Sequence, residues 1–316
     1  MDLPDKNLIV TVSPHIRGRR TTNRIMLDVL IALFPAFVAS IVIFGARSIL
    51  VTCVCVASCV LSEWVYEKAM KKPVTVRDLS ACITGVLLAF NLPVTIPVWQ
   101  AVFGSVVAII LVKQLFGGLG KNFANPAITA RIVMFLAFSI TMTRWTNPEG
   151  AAGAAMDAVT GATPLALIAK GNTAELPGLM KMFLGDHGGS LGETCAAALL
   201  LGGIYLLFRG VITWHAPVSF IVVVFVFTAI LGYDPVYQIL AGSLFIGAFF
   251  MATDYVTTPI TGAGRLIFGV GAGIFTVIFR IYGNYPEGVS FSILLMNILT
   301  PYINRLTMKK PLGAKG

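Results

Sequence analysis

The chain has 316 residues, of which 57% are apolar and 12% charged, with a formal net charge of +9. A water-soluble domain carries about 25% charged residues, so this deficit excludes a protein whose whole surface meets water. It fits a chain whose outer belt meets lipid. The basic excess does not point to nucleic acid, because lysines and arginines flank the apolar runs, where they set orientation in a membrane.

Residues 1–24 are polar and basic and run into a full-length apolar segment, with no small-residue cleavage site of a signal peptide. They form a cytoplasmic N-terminal segment. Apolar segments then follow at 25–44, 49–66, 78–91, 98–116 and 126–142. After a polar stretch at 143–191 come 192–208, 211–231, 236–252, 264–281 and 289–305, and 306–316 form a tail. A span needs about 20 apolar residues, fewer where a helix is broken inside protein. The third and fifth segments are short and flanked by Pro or Asn, as expected of broken or re-entrant helices. With the N-terminus inside, 17 of the 23 lysines and arginines fall on the cytoplasmic side. Five (Arg47, Arg144, Lys170, Lys181 and Arg280) fall outside, and Arg131 lies within the fifth segment. This bias places both termini in the cytoplasm and the 143–191 loop on the outer face.

The two sets of five resemble each other. Leu92-Pro93-Val94-Thr95-Ile96-Pro97 precedes a run holding Phe103-Gly104, and Tyr255-Val256-Thr257-Thr258-Pro259 precedes one holding Phe268-Gly269. An odd number of segments per half makes such a repeat inverted, with 25–142 and 192–305 as its units. Inverted repeats place binding sites near the midplane, where broken helices meet, so the Leu92–Pro97 turn and the turn after Asp254 are expected to border one central site. The alternative is that Gly, Pro and Thr punctuate any membrane protein. The fold class expected is an all-α polytopic membrane protein of about ten transmembrane helices.

Three stretches could carry chemistry. In the outer loop, Asp157-Ala158-Val159-Thr160-Gly161-Ala162-Thr163-Pro164 offers a hydroxyl on Thr163 beside a backbone opened by Gly161 and Ala162. The pattern suits attachment of a group to Thr163, against a plain Thr/Gly/Ala turn. In Gly117-Gly118-Leu119-Gly120-Lys121-Asn122-Phe123-Ala124-Asn125-Pro126, the two Asn amides could read the donor and acceptor edge of a heterocycle. They could equally cap a helix opened by Pro126. No phosphate-loop motif is present there. Asp254 ends an apolar segment, and a carboxylate so placed is either functional or paired with Arg265. Asp28, Glu63 and Asp78 flank or enter spans and read as helix-end residues rather than ion ligands. Cys53, Cys55, Cys59, Cys82 and Cys195 lie in apolar runs, so neither disulfides nor a shared metal is expected. His15, His187 and His215 are scattered, which leaves no histidine metal site. Leu176 to Asp186 reads as an interfacial helix under the loop.

These motifs resemble the family shared by the D subunit of the Rnf complex and the B subunit of the sodium-pumping NADH:quinone reductase. The likeness rests on Ser13-Pro14-His15-Ile16-Arg17, Asp78-Leu79-Ser80-Ala81, Gly120-Lys121-Asn122, Asn125-Pro126-Ala127, Thr160-Gly161-Ala162-Thr163, Gly192-Glu193-Thr194, Met251-Ala252-Thr253-Asp254 and Tyr285-Pro286-Glu287-Gly288-Val289. The short N-terminus looks like the Rnf type. One departure is Tyr255, where the family more often has proline. The resemblance implies a urea-transporter-like fold and FMN joined to Thr163 by a phosphoester, with Asp157, Thr160, Gly161 and Ala162 as the flavinylation motif and an external flavin transferase as the installing enzyme. It implies a second, non-covalent flavin, riboflavin or FMN, approached by Asn122, Asn125 and Asp254. It implies partnership with the other Rnf subunits (A, B, C, E and G) in a bacterial or archaeal cell membrane. The expected function is electron transfer within an Rnf-type ferredoxin:NAD oxidoreductase coupled to Na⁺ or H⁺ translocation, with no complete active site on this chain. The alternatives are the B subunit of the quinone reductase, a urea-like transporter or channel, and a scaffold for redox partners.

Overall fold

The computed structural model describes residues 21–146, 163–169, 176–283 and 288–308. Every regular element among them is helical. In chain order they are α1 (Thr22–Phe44), α2 (Ala46–Ala69), α3 (Ser80–Phe90), α4 (Val98–Gln114) and α5 (Pro126–Ala137), then the short α6 (Ser139–Met142), α7 (Pro164–Ala169) and α8 (Leu179–Leu184). Next come α9 (Ala196–Phe208), α10 (His215–Ile230), α11 (Pro235–Leu240), α12 (Leu244–Ile246, continued by π-helical Gly247–Met251), α13 (Gly262–Ile281) and α14 (Gly288–Thr307). Each apolar segment read from the sequence holds at least one of these helices, and 126–142 and 236–252 hold two each. Only the middle of the 176–186 stretch, α8, is helical.

Among the described residues three helices, α1, α2 and α13, are each long and apolar enough to cross a membrane alone; α3, α4, α5, α9 and α10 are apolar but shorter. Large apolar side chains face outward, Phe208 at 87% and Ile230 at 74% exposure among them. Water would not favour such a surface and lipid does, so the chain is a multi-pass membrane protein.

Local chemistry sets the helix ends. Asn125 opens α5: its Oδ1 accepts from the N–H groups of Ala127 at 3.0 Å and Ile128 at 3.3 Å, with Pro126 at the first helical position. Asp234 opens α11 the same way, accepting from Val236 N at 2.9 Å ahead of Pro235. Thr261 Oγ1 caps α13 through Gly264 N at 3.0 Å. Gly45, at φ 73°, makes the tight joint between α1 and α2, a left-handed conformation that a side chain would strain.

The helices pack in two sets. Helix α2 packs on α3 and α4, and α5 packs on α3 and α4. Likewise α10 packs on α11, α12 and α13, and α14 packs on α12 and α13. Helix α1 meets α9, and α5 meets α14. Glycine permits the close crossings. A Cβ on Gly202 of α9 would fall 2.1 Å from Ala32 O of α1, and one on Gly269 of α13 would fall 2.6 Å from Ala216 O of α10.

Candidate functional site

The 117–126 loop and the 252–258 turn build one cavity between α1, α3, α5, α9 and α12. It measures about 780 Å³ including its mouth, and is walled by apolar side chains such as Ile83, Leu87, Leu206 and Phe250 with a few polar groups. Asn122, Asn125 and Asp254, chosen from the sequence, all line it, as do Lys113, Ser80 and Thr253. A ligand cavity of this kind is mostly apolar with a small number of placed polar groups.

The two asparagines differ in role. The Asn125 oxygen is spent on the α5 cap. With the Asn297 amide turned so that its oxygen faces this loop, that oxygen accepts from Asn125 N–H at 3.2 Å and the amide nitrogen donates to Thr257 O at 3.3 Å. Asn297 therefore stitches the 122–126 loop to the 252–258 turn. Asn122 Oδ1 is buried and has no hydrogen-bond partner among the described residues. A buried amide oxygen left unpaired costs about 1–3 kcal/mol, which a ligand donor at that point would recover. The isoalloxazine ring presents one N–H between two carbonyls, an edge that an Asn amide matches. On this ground the cavity fits a flavin ring.

Asp254 does not pair with Arg265. Its oxygens accept from Val256 N at 3.4 Å and Thr257 Oγ1 at 3.2 Å. Arg265 instead donates to Pro259 O at 3.1 Å and Thr213 Oγ1 at 3.0 Å. The reason is local: the turn bends the carboxylate back onto its own backbone. Tyr255, at the position where proline was expected, donates its hydroxyl to Val211 O and so ties the turn to the start of the loop before α10.

Sequence reasoning treats Glu63 as a helix-end residue, and the structure corrects this. Glu63 is wholly buried and pairs with Lys113 Nζ at 2.7 Å and Gln114 Nε2 at 2.8 Å. Lys113 also donates to Ser80 Oγ at 2.6 Å, and Ser80 Oγ donates to Asp78 Oδ1 at 2.5 Å. The cause is the π-helical stretch Val107–Gln114, where Leu115 N reaches back to Ile110 O. The wider turn puts Lys113 and Gln114 side by side on the α2 face. Asp78 does act at a helix end, before α3, and Asp28 forms an ion pair with Arg209 at 3.1 Å.

The 92–97 turn and the 254–259 turn do not border one site. The segments that lead into them do meet, with Asn91 Nδ2 3.9 Å from Met251 Sδ. Beyond that contact they part. Val94 and Ile96 carbonyls accept from Arg47, while residues 253–256 line the cavity. Around Asn91 lies a second buried polar knot that the sequence did not reveal. Arg131 donates to Asn91 Oδ1 at 2.6 Å and Ser290 Oγ at 3.3 Å, and lies 3.7 Å from Glu193 Oε2.

Asp157, Thr160, Gly161 and Ala162 lie outside the described residues. Thr163 is described: it is 7% exposed and caps α7, its Oγ1 accepting from Ala166 N at 3.2 Å. Leu165 then packs with Met182 and Ala241. The hydroxyl thus stands at the junction between the loop and a helix anchored on the bundle. As the donor set for a phosphoester, one threonine oxygen suffices. All five cysteines are free, and among the described residues no group of His, Cys, Asp or Glu has the arrangement of a metal site.

Known proteins place this architecture. The NQR2, RnfD, RnfE family matches residues 9–313. The chain is 46% identical over 309 residues to the D subunit of the Na(+)-translocating ferredoxin:NAD(+) oxidoreductase complex of Acetobacterium woodii, covering 97% of this chain and 96% of that protein. It is 40% identical over 326 residues to the D subunit of the proton-translocating ferredoxin:NAD(+) oxidoreductase complex of Clostridium ljungdahlii, covering 98% of each. It is 38% identical over 333 residues to the D subunit of the ion-translocating oxidoreductase complex of Stutzerimonas stutzeri, covering 93% of each. The apolar helices, the paired Asn residues beside Asp254 and this full-length similarity lead to one conclusion: the chain belongs to the NQR2, RnfD, RnfE family.

Proposed function

We propose that the chain is the D-type membrane component of an Rnf-type, ion-translocating ferredoxin:NAD oxidoreductase, working with the other Rnf subunits. The observation that carries this reading is similarity along nearly the whole of relatives that bear that name. The chain's part is to hold two flavins at fixed depths, one joined to Thr163 and one in the cavity beside Asn122. A bound flavin supplies the electron-transfer chemistry. The protein supplies position, an apolar wall and the charged and amide groups around the ring.

Each residue has a separate task. Thr163 provides the oxygen of a phosphoester, installed by an external flavin transferase at the motif Asp157, Thr160, Gly161 and Ala162. Asn122 offers its unpaired amide to the edge of the second ring. Asn125, engaged as a cap, fixes the loop that presents Asn122. Asp254 holds the facing turn through Thr257. Lys113 brings a positive charge to the cavity wall, steadied by Glu63.

The membrane layout is the inverted repeat of 25–142 and 192–305, with the 143–191 loop outside and both termini in the cytoplasm. What supports it is the pairing of the two helix sets, with first helix on first and fifth on fifth, together with the lysine and arginine bias. The relatives' names carry both Na⁺ and protons, so coupling to either ion is consistent with family membership.

The test is the fluorescence of the denatured chain on a gel, from protein produced with its flavin transferase. The native sequence gives a fluorescent band and Thr163→Ala a dark one. A fluorescent Thr163→Ala band would overturn the attachment site, and a dark native band would overturn covalent flavinylation.

A further inference from the structure

The Gly192-Glu193-Thr194 motif has no part in either flavin site, yet the fold buries all three residues. Residues 190–193 run along the end of α3, where Leu191 N donates to Leu92 O and Gly192 N to Phe90 O, each at 3.0 Å. A side chain at 192 would not allow this approach, since a Cβ there would fall 2.2 Å from Phe90 Cγ. The strap so formed carries Ser190 and Glu193 onto Arg131 of α5. Glu193 Oε1 accepts from Ser190 N at 3.0 Å, and Glu193 Oε2 lies 3.7 Å from Arg131 Nη2. Arg131 Nη2 is also 3.5 Å from Ser190 Oγ, while its Nη1 donates to Asn91 Oδ1 at 2.6 Å and Ser290 Oγ at 3.3 Å.

These five residues come from the end of α3, from α5, from the strap before α9 and from the start of α14. The knot therefore lies in the seam between the two helix sets, and each member is 4% exposed or less. It also has a fixed relation to the cavity at Asn122. Leu87 of α3 and Ala127 of α5 line that cavity, and Asn91 and Arg131 each stand four residues further on. Four residues make about one helical turn, so both lie on the same faces, roughly 5–6 Å beyond the cavity wall. Asn91 Nδ2 donates to Leu87 O at 2.6 Å across that turn. Apolar side chains would join two helix sets at least as well as a buried ion pair does. Ionisable groups inside a membrane protein are costly and mark function.

We propose that this knot is a charge barrier that closes the seam between the two helix sets to cations. The guanidinium of Arg131 sets a fixed positive charge in the seam, and an arginine so placed keeps cations out of a polar path. Glu193 offsets the cost of burying that charge and, through the strap, stops the seam with backbone as well. The cavity at Asn122 then ends on a sealed floor instead of opening through the protein, and ions coupled to electron transfer take another route. The inference needs only the membrane placement of the chain and stands apart from both flavin sites.

The experiment uses the whole complex, purified from membranes and reconstituted into liposomes without redox substrates. Potassium is the probe, because the relatives' names carry Na⁺ and protons but not K⁺. A trapped K⁺-sensitive dye reads passive entry, a protonophore balances charge, and size-exclusion elution reports assembly. Arg131→Gln leaves the Glu193 carboxylate in the seam without the guanidinium, so K⁺ entry is expected to rise about ten-fold or more. Glu193→Gln keeps the Arg131 charge and is expected to stay as tight as the native complex. An assembled Arg131→Gln complex no leakier than native would overturn the barrier. Equal leaks in both variants would overturn it too, since loosened packing, not charge, would then be the cause. Should Arg131→Gln fail to assemble, Arg131→Gln with Glu193→Gln takes its place. That pair carries no charge and is expected to leak above native, and a tight double variant would overturn the proposal.

Discussion

Lys113 Nζ lies 2.7 Å from Glu63 Oε1, with the two side chains 2% and 0% exposed. Breaking a buried pair from one side strands the other charge, at a cost of about 3–5 kcal/mol, whereas replacing both by apolar residues is often neutral. Glu63→Ala and Lys113→Ala should therefore each lower the yield and melting temperature of the solubilised protein. Glu63→Leu with Lys113→Met should recover most of the loss, as read by thermal unfolding in detergent. A double variant no better than the singles would show that the pair is not the unit holding α2 to α4.

Asn122 and Asn125 should separate by phenotype. Asn125→Ala removes the α5 cap, worth about 0.5–2 kcal/mol, and lowers stability. Asn122→Ala relieves an unpaired buried oxygen and leaves the apo fold as stable or more so. It should nonetheless deplete the flavin released from the complex by acid, measured by chromatography, while the covalent band stays fluorescent. Undiminished acid-released flavin in Asn122→Ala would exclude Asn122 from the second site.

That contrast marks where sequence reading stops. Spacing shows two amides, three residues apart, and leaves cap and ligand equally open. Only the folded loop assigns the cap to Asn125 and the vacant oxygen to Asn122. The helices themselves are legible because apolar runs, Asn125-Pro126, Asp234-Pro235 and Thr261 punctuate the chain by local chemistry. The Glu63–Lys113 pair is not, since it depends on a π-helical turn and on α2 meeting α4, and neither leaves a periodic signal. The buried knot of Arg131, Asn91 and Glu193 is hidden for the same reason: it joins residues distant in the chain through tertiary packing alone.

Close helix crossing gives a further prediction. Gly202→Ala places a methyl 2.1 Å from Ala32 O, where backbone must move, so the α1–α9 contact should lose about 1–3 kcal/mol. Gly178→Ala meets nothing within 4 Å and should be near neutral. Melting temperatures of the two variants in one detergent check the difference. Equal values would mean that α1 and α9 do not cross as closely as described.

Thr163 also makes a hydrogen bond that serine can reproduce. Thr163→Ser keeps an oxygen to cap α7 through Ala166 N and a hydroxyl for the phosphoester, so it should retain a fluorescent band. Thr163→Val keeps the shape and loses both. A dark serine variant would mean that the threonine methyl, and not only its oxygen, is required at this position.

Covalent attachment itself is best read by peptide mass spectrometry of the chain purified after production with its flavin transferase. The peptide containing Thr163 is expected to gain the mass of FMN less one water, with fragment ions placing the addition on Thr163. An unmodified peptide, or an adduct placed on Thr160, would refute attachment at Thr163.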